Sequence, residues 1–151
     1  MNITFIQRPF AELTAGEVHD LLRLRSDVFL VEQGLTAEPD LDGLDPRAVH
    51  VLGLDTAGHV VATARLLEED GAVRVGRVAV ARGARGRGIG SALLALVHDI
   101  LGNRPAVMSA QVPVVPWYVR RGWTLEGEPY PEAGVPHQRL ARRAPREGPA
   151  P

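Results

Sequence analysis

The residues from Val73 to Leu101 constrain the fold of this chain more than any other stretch. β-Branched residues alternate over 73–80 as in a strand, and Gly76 interrupts the alternation, which predicts a β-bulge. Apolar residues then recur at helical spacing from Ile89 to Leu101, and Gly102 follows as a typical C-terminal stop. The stretch therefore predicts a strand that leads through a short loop into an amphipathic helix.

The loop between that strand and that helix combines glycines with arginines. Glycine stands at 83, 86, 88 and 90, and arginine at 82, 85 and 87. Glycines at a helix start let the backbone approach a ligand, and the N–H groups of the first turn have no intrahelical partner. These donors, the positive end of the helix dipole and the arginines indicate a phosphate- or pyrophosphate-binding loop. The alternative is a surface loop that binds nothing.

Two familiar nucleotide-binding motifs fit this loop poorly. A Walker loop requires Gly-Lys-Ser/Thr, and the chain contains no lysine, which excludes it. A dinucleotide-binding turn requires Gly-x-Gly-x-x-Gly and an acidic residue about 20 residues later. The glycines here stand at 86, 88 and 90, and residues 106–111 contain no acidic side chain, so the chain matches this motif poorly.

A third pattern, Arg-x-x-Gly-x-Gly, is formed by Arg85, Gly88 and Gly90. Here the chain resembles the GCN5-related N-acetyltransferase (GNAT) superfamily, in which this segment holds the pyrophosphate of acetyl-CoA. The bulged strand before it and the amphipathic helix after it make the resemblance more specific. LRSDVFLVEQG followed by LDGLD, and GEPYPEAGVPH near the end, resemble the ElaA-like branch, so the resemblance covers roughly residues 3–142.

The resemblance implies an α/β (α+β) fold, with a mixed, mostly antiparallel sheet of about six or seven strands flanked by about four helices. It implies a single acetyltransferase domain over residues 1–142, and the chain of 151 residues suits one domain with a sizeable core. Two closing strands are expected after the short helix near Tyr118. Residues 143–151 lack apolar content and are predicted to be a frayed tail.

The resemblance also implies where acetyl-CoA binds as co-substrate. Its pyrophosphate is expected on the loop and the first helical turn. Its acyl end is expected beside the bulged strand, where a free N–H near residues 78–80 would stabilise the carbonyl oxygen. Tyr118 in WYVRRGW matches the superfamily's aromatic-Tyr-x-x-x-Gly-aromatic pattern and is expected to protonate the leaving thiolate. The expected binding residues are Val78, Ala79, Val80, Arg85, Gly86, Arg87, Gly88, Ile89, Gly90 and Ser91.

The general base is left open between two residues. An acceptor amine must lose a proton before its nitrogen attacks a thioester, so a side chain acting directly or through water is expected. Glu32 stands at the end of the predicted first helix, and His137 stands beside the last strand. A glutamate on a helix is most often a surface group and a single histidine is most often structural, so neither is preferred.

The first helix and the loop after it carry charges with competing interpretations. Residues 14–17 form a capping-box pattern, and Arg25 interrupts the apolar stripe of the helix, so Arg25 is expected to pair with a carboxylate. The loop contains Asp40, Asp42 and Asp45, whose spacing misses the EF-hand pattern of calcium sites. We expect turn and capping roles for these aspartates, with attraction of a cation as the second interpretation.

Charge and composition limit the partners. A formal net charge of −1 argues against a nucleic-acid partner held by general basicity. With no cysteine, the chain has no disulfide, thiol nucleophile or thiolate metal site. The N-terminus has no long apolar run, which predicts a soluble cytoplasmic protein without a membrane anchor.

Together these features predict an acetyl-CoA-dependent N-acetyltransferase that needs no metal and acts on a small-molecule amine, a lysine or an N-terminal amine. Residues 31–45 and 127–137 are rich in carboxylates and are expected to hold a cationic acceptor. Two other functions are left open: a non-catalytic acyl-CoA-binding module, and an acyl-homoserine-lactone synthase, whose first helix resembles LRSDVF. The oligomeric state is left open as well, a homodimer included.

Overall fold

The computed structural model describes residues 2–143, which form an eight-stranded mixed sheet with helices on both faces. The sheet order is β1-β2-β3-β4-β5-β8-β6, with β7 paired to β8. The strands are β1 (Thr4–Pro9), β2 (Val49–Leu54), β3 (Val60–Glu69), β4 (Ala72–Val80), β5 (Ala106–Gln111), β6 (Thr124–Leu125), β7 (Tyr130–Glu132) and β8 (Val135–Arg142). The helices are α1 (Ala15–Arg25), α2 (Ile89–Leu101) and α3 (Val115–Val119), and a π-helical segment, Ser26–Glu32, continues α1.

The fold class predicted from the sequence is confirmed. All strand pairs of this sheet are antiparallel except β4 with β5. The closing segment supplies three strands instead of the two predicted, because the short β6 and β7 both pair with the long β8. The predicted tail, residues 143–151, lies outside the described residues except for Arg143. None of the helices in the described range has the length and apolar character needed to cross a membrane.

Two apolar cores lie on opposite faces of the sheet. α2 packs on one face through Leu93, Val97 and Leu101, the helical spacing that the sequence shows. α1 packs on the other face through Leu21 and Leu24. Each such side chain contributes roughly 1.5–3 kcal/mol by leaving water. The predicted capping box starts α1, since Thr14 and Glu17 each accept the other's backbone N–H.

The parallel pair β4 and β5 opens the sheet. These strands are joined only at Val73–Ala106 and Arg74–Val107, and beyond those pairs they part. The edge of β4 that faces β5 therefore leaves backbone groups unpaired from residue 75 onward. The parted strand ends form the walls of a cleft.

β4 is bulged where it borders this cleft. Its register against β3 shifts between Thr63 and Arg65, so two residues of β4 oppose one residue of β3. The sequence predicts the bulge at Gly76, but the left-handed residue is the next one, Arg77, with φ of 49°. A left-handed arginine is strained, and such a residue persists only when its surroundings hold it.

Candidate functional site

The loop between β4 and α2 leaves the N-terminus of that helix open. Gly86 and Gly88 both have left-handed φ values, 76° and 75°. Gly88 is the N-cap residue of α2, and no side chain caps the helix. A Cβ atom built at either glycine would meet no other atom within 4 Å. The unpaired N–H groups of the first turn therefore border open space, where they can bind an anion.

Arg85 links this loop to the π-helical segment. Its two terminal nitrogens donate to both carboxylate oxygens of Glu32, at 2.6 and 2.9 Å, and its Nε donates to the carbonyl of Val80 at 3.0 Å. The hydrogen bond from Arg85 lowers the pKa of the Glu32 carboxyl. The structure thus places Glu32 beside the loop before α2, where it is a weaker base than a free glutamate, and its catalytic role stays a prediction.

Two other arginines supply positive charge near the helix start. Arg87 is exposed and forms no ion pair with any residue of the described range 2–143. Arg121 lies with its guanidinium carbon 4.0 Å from the centroid of the Trp117 ring, and it donates to the hydroxyl of Ser91 at 3.3 Å. Arg121 was not predicted from the sequence, because only the fold brings the turn after α3 beside the first turn of α2.

A continuous cleft of about 1460 Å³ joins this loop to the parted strands β4 and β5. Val78, Ala79 and Val80 line it from the bulged strand. Tyr118 borders it from α3, with 7% of its surface exposed. Burial raises the pKa of Tyr118 to about 12, so its hydroxyl keeps its proton through the neutral range. The structure therefore brings the predicted loop, strand and tyrosine to one cleft.

His137 lies on another wall of the same cleft, within a chain of polar contacts. Its Nδ1 is 2.9 Å from the carbonyl oxygen of Val135, and its Nε2 is 3.3 Å from Oε2 of Glu132. The Ser109 hydroxyl reaches the same carboxylate oxygen at 3.4 Å and also hydrogen-bonds the hydroxyl of Tyr130. Sequence reasoning missed Ser109, Tyr130 and Glu132 as a group, because they meet only through the pairing of β5, β7 and β8.

A hydrogen bond crosses the cleft near the ends of the parted strands. Gln111, the last residue of β5, donates from Nε2 to Oε1 of Gln33 at 2.9 Å. Gln33 directly follows the π-helical segment. The first helix is therefore tied to the loop of α2 by Glu32 and to β5 by Gln33.

The long loop after the π-helical segment is held by arginines. Buried Arg25 binds the carboxylates of Asp40 at 2.9 Å and Asp45 at 2.7 Å, which confirms the predicted pairing of Arg25. Arg65 of β3 binds both carboxylate oxygens of Asp42, at 2.9 and 2.8 Å, and also reaches Asp45. These residues connect the loop to α1 and to β3.

Arg77 of the bulge belongs to the same network. Its Nε lies 2.9 Å from Asp40, as an ion pair without the angle of a hydrogen bond, and a terminal nitrogen donates to Asp42 at 3.3 Å. Three arginines therefore neutralise three aspartates. Asp42 has the predicted turn role, since it accepts the N–H of Leu44, and Asp45 begins a short 3₁₀ turn, Asp45–Arg47. The side chains of Asp40 and Asp45 bind arginines instead of capping a helix. Of the carboxylates that line the cleft, Glu38 and Glu132 are the two without an arginine partner in residues 2–143.

Burial would raise the pKa of the Asp42 carboxyl, but the hydrogen bonds from Arg65 and from the Leu44 N–H, with the charges of Arg65 and Arg77, outweigh it and lower the pKa to about 2. The pKa of Asp45 is lowered in the same way: Arg25 and Arg65 outweigh the effect of burial. Both groups are therefore ionised at neutral pH. Within residues 2–143, no three His, Asp or Glu side chains are placed to hold a metal ion.

Comparisons with known proteins agree with this architecture. Residues 42–143 match the family model described as an acetyltransferase (GNAT) domain. Protein ElaA of Escherichia coli is 33% identical over 141 residues, which is 87% of this chain and 91% of ElaA. The ElaA crystal structure superposes with a TM-score of 0.86 at 31% identity, over 94% of this chain and 100% of ElaA.

Two further structures share the fold. An acyl-CoA N-acyltransferase from Pseudomonas aeruginosa has a TM-score of 0.85 and 32% identity, over 93% of this chain and 99% of its own. A GNAT family acetyltransferase from Elizabethkingia anophelis, solved with acetyl-CoA bound, has a TM-score of 0.62 over 94% of this chain and 98% of its own. At 20% identity, the second likeness concerns the fold alone.

Proposed function

Because this chain belongs to the GNAT acetyltransferase family, as a relative of ElaA, we propose that it moves an acetyl group from acetyl-CoA to a primary amine. Membership makes it an acyltransferase; the acetyl donor and the amine acceptor are the proposal. The observation that supports it most is the uncapped N-terminus of α2, which opens into a cleft that reaches Tyr118. Such a cleft suits a long donor with an anionic end and a reactive end.

The residues present fit acetyl-CoA as the donor substrate. The pyrophosphate suits the N–H groups of residues 86–91, with the exposed charge of Arg87 beside them. The space next to Gly86 and Gly88, which a side chain would fill, leaves room for it. The unpaired edge of β4 at residues 78–80 offers N–H donors to the carbonyl oxygen of the thioester, where negative charge develops.

Two side chains transfer protons in the proposed reaction. His137 takes a proton from the ammonium form of the acceptor, and the freed nitrogen lone pair forms the new C–N bond. As the C–S bond breaks, its electron pair goes to sulfur, and Tyr118 gives its hydroxyl proton to that sulfur. The nitrogen loses its second proton to solvent as the amide forms, and solvent then returns a proton to Tyr118 and removes one from His137. The balance is an ammonium and a thioester converted into an amide, a thiol and one proton.

The raised pKa of Tyr118 bears on its role. A phenol with a pKa of about 12 is neutral over the whole range in which an amine can be deprotonated. The same burial raises the pKa of a thiol at that site, which reduces the mismatch between the tyrosine and the leaving thiolate. Tyr118 therefore enters the reaction as a proton donor.

The test is acyl transfer itself. Purified protein is mixed with acetyl-CoA and a panel of amines: small monoamines, diamines, and peptides with a free N-terminus or lysine. Free thiol release and the mass of the acylated amine are measured. Amine-dependent release of one thiol per amide formed is the expected result. Acetyl-CoA binding without release to any amine would instead favour a binding module, and turnover that requires S-adenosylmethionine would favour a lactone synthase.

A further inference from the structure

The ring orientation of His137 is set by the backbone. Nδ1 lies 2.9 Å from the carbonyl oxygen of Val135, and a carbonyl oxygen accepts hydrogen bonds but does not donate them. In this geometry Nδ1 carries the hydrogen. In the neutral ring, Nε2 then has a lone pair and no hydrogen. His137 is 6% exposed, so the surrounding strands leave the ring little freedom to turn.

A carboxylate lies beside that lone pair. Nε2 lies 3.3 Å from Oε2 of Glu132, and neither atom brings a hydrogen when the ring is neutral. Because the contact lacks the geometry of a hydrogen bond, Glu132 does not occupy the lone pair, and its charge attracts the ring once Nε2 gains a proton.

Glu132 is itself held in place. The Tyr130 hydroxyl and the Ser109 hydroxyl bond each other, and Ser109 donates to Oε2 of Glu132 at 3.4 Å. Glu132 also directly precedes the tight turn of the β7–β8 hairpin, where Ala133 and Gly134 both have left-handed φ values, 49° and 79°. Two successive positive φ values are typical of a two-residue type I′ turn, which places Glu132 opposite Val135. A left-handed alanine at this point shows that the hairpin geometry is tightly determined.

We propose that Glu132 is a positioning residue that makes His137 the proton acceptor for the incoming amine. His137 takes the proton on Nε2, and Glu132 stabilises the resulting imidazolium. This inference rests on the proposed function for its kinetic part, because the proton comes from the acceptor amine. Its structural part, the Nδ1–H tautomer beside a carboxylate, does not depend on any acceptor.

Glu132→Gln and Glu132→Ala distinguish this role from a packing role. The glutamine amide can donate a hydrogen to Nε2 and occupy its lone pair, whereas alanine leaves the lone pair free. We therefore expect Glu132→Gln to lower kcat by about 10²-fold and Glu132→Ala by less, about 10-fold. Glu132→Asp should recover part of the loss. A packing role would give the opposite order, because glutamine has the shape of glutamate.

Two controls accompany these variants. Glu126→Gln removes an exposed carboxylate that pairs with Arg139 outside the cleft, and it should keep the kcat of the wild type. In a His137→Gln background, Glu132→Ala should add little further loss, because residues that act through one another are not additive. KM for acetyl-CoA should stay unchanged in all variants.

Proton–nitrogen NMR of protein with ¹⁵N-labelled histidine tests the structural part without any acceptor. The signals of His137, assigned by their absence in His137→Gln, should show the Nδ1–H tautomer when the ring is neutral. An Nε2–H tautomer, equal kcat in Glu132→Gln and wild type, or an undiminished effect of Glu132 in the His137→Gln background would each overturn the proposal. Absence of acyl transfer to every amine would overturn the proposed function, while the tautomer result still decides the role of Glu132.

Discussion

Tyr118 is buried beside the cleft and has a pKa of about 12 because of that burial. Tyr118→Phe removes only the hydroxyl, so acetyl-CoA affinity should stay unchanged while kcat falls by about 10²–10⁴-fold. Because the hydroxyl stays protonated, the ratio of wild-type to variant kcat should be constant between about pH 7 and 10. Steady-state assays across that range measure the ratio. A ratio that halves by about pH 10 would indicate an ordinary tyrosine pKa there.

Gly88 combines a left-handed backbone with open space on its side-chain face. Gly88→Val puts a side chain where the pyrophosphate is proposed to bind and also adds backbone strain of roughly 1–2 kcal/mol. We expect acetyl-CoA affinity to fall about 10- to 150-fold, the loss of one charged hydrogen bond or more. Calorimetry measures the affinity of each variant for acetyl-CoA. Gly83→Val is the matched control, since Gly83 lacks a left-handed φ and also faces open space.

Glu32 was one of two candidate bases, and the structure pairs it with Arg85. If its role is to hold Arg85, Glu32→Gln frees that guanidinium for the pyrophosphate, and acetyl-CoA should bind about 2- to 5-fold more tightly with kcat retained. If Glu32 is the base, kcat falls by about 10²–10⁴-fold instead. Glu68→Gln, at an exposed ion pair with Arg104, is the control. Binding and turnover of the same samples separate the two roles.

At the scale of secondary-structure elements, the arginine–aspartate network makes the long loop sensitive to acid. The carboxyl of Asp42 has a pKa of about 2 in the folded protein, whereas its ordinary value, taken for the unfolded chain, is 3.8. Its contribution to stability is therefore present above about pH 4 and is lost as pH falls through about 2. We expect that contribution to be about 1–2 kcal/mol, allowing for solvent screening.

Denaturant unfolding at several pH values measures this contribution. Asp42→Asn should lower the free energy of unfolding at pH 7 and reduce its further fall between about pH 4 and 2. Asp99→Asn, at an exposed position of α2 without an ion pair in residues 2–143, should follow the wild type. An unchanged free energy of unfolding in Asp42→Asn at pH 7 would show that the Asp42 carboxylate contributes nothing to stability.

Elements with strong local periodicity were predictable from the sequence. The strand, loop and helix of residues 73–101 follow from apolar spacing and glycines, and the first helix follows from its capping box. The π-helical segment was not predictable, because seven residues are too few for its periodicity to be distinguished from that of an α-helix in the pattern of apolar residues. The partners of His137 were not predictable either, because they meet through strand register. The sequence did contain the aspartates and Arg25, but whether they hold a loop or a cation depends on Arg65 and Arg77.

At the scale of the whole molecule, β4 and β5 pair at two positions and then part, and Gln33 and Gln111 bridge the resulting cleft. Both side chains line the cleft, so a ligand that enters at this end has to displace their hydrogen bond. We expect Gln33→Ala and Gln111→Ala each to raise the association rate of acetyl-CoA about 2- to 10-fold, since one hydrogen bond contributes about 0.5–1.5 kcal/mol.

Stopped-flow binding measures these rates. The double variant should match the single variants, because either substitution already removes the bridge. Gln7→Ala, on the far edge strand β1, is the control and should bind at the wild-type rate. Association rates unchanged in both single variants would mean that the ligand enters elsewhere.

The π-helical segment directs the side chains of Glu32 and Gln33 toward Arg85 and Gln111. A π-helical turn contains about one residue more than an α-helical turn, and each α-helical residue advances the chain by about 100° around the axis. Loss of a single residue from Ser26–Glu32 would restore α-helical winding while the residues after it keep their direction, so Glu32 and Gln33 would still face Arg85 and Gln111. In an alignment of relatives, a one-residue gap in this stretch would therefore mark proteins in which a wholly α-helical first helix still reaches the loop before α2 and β5.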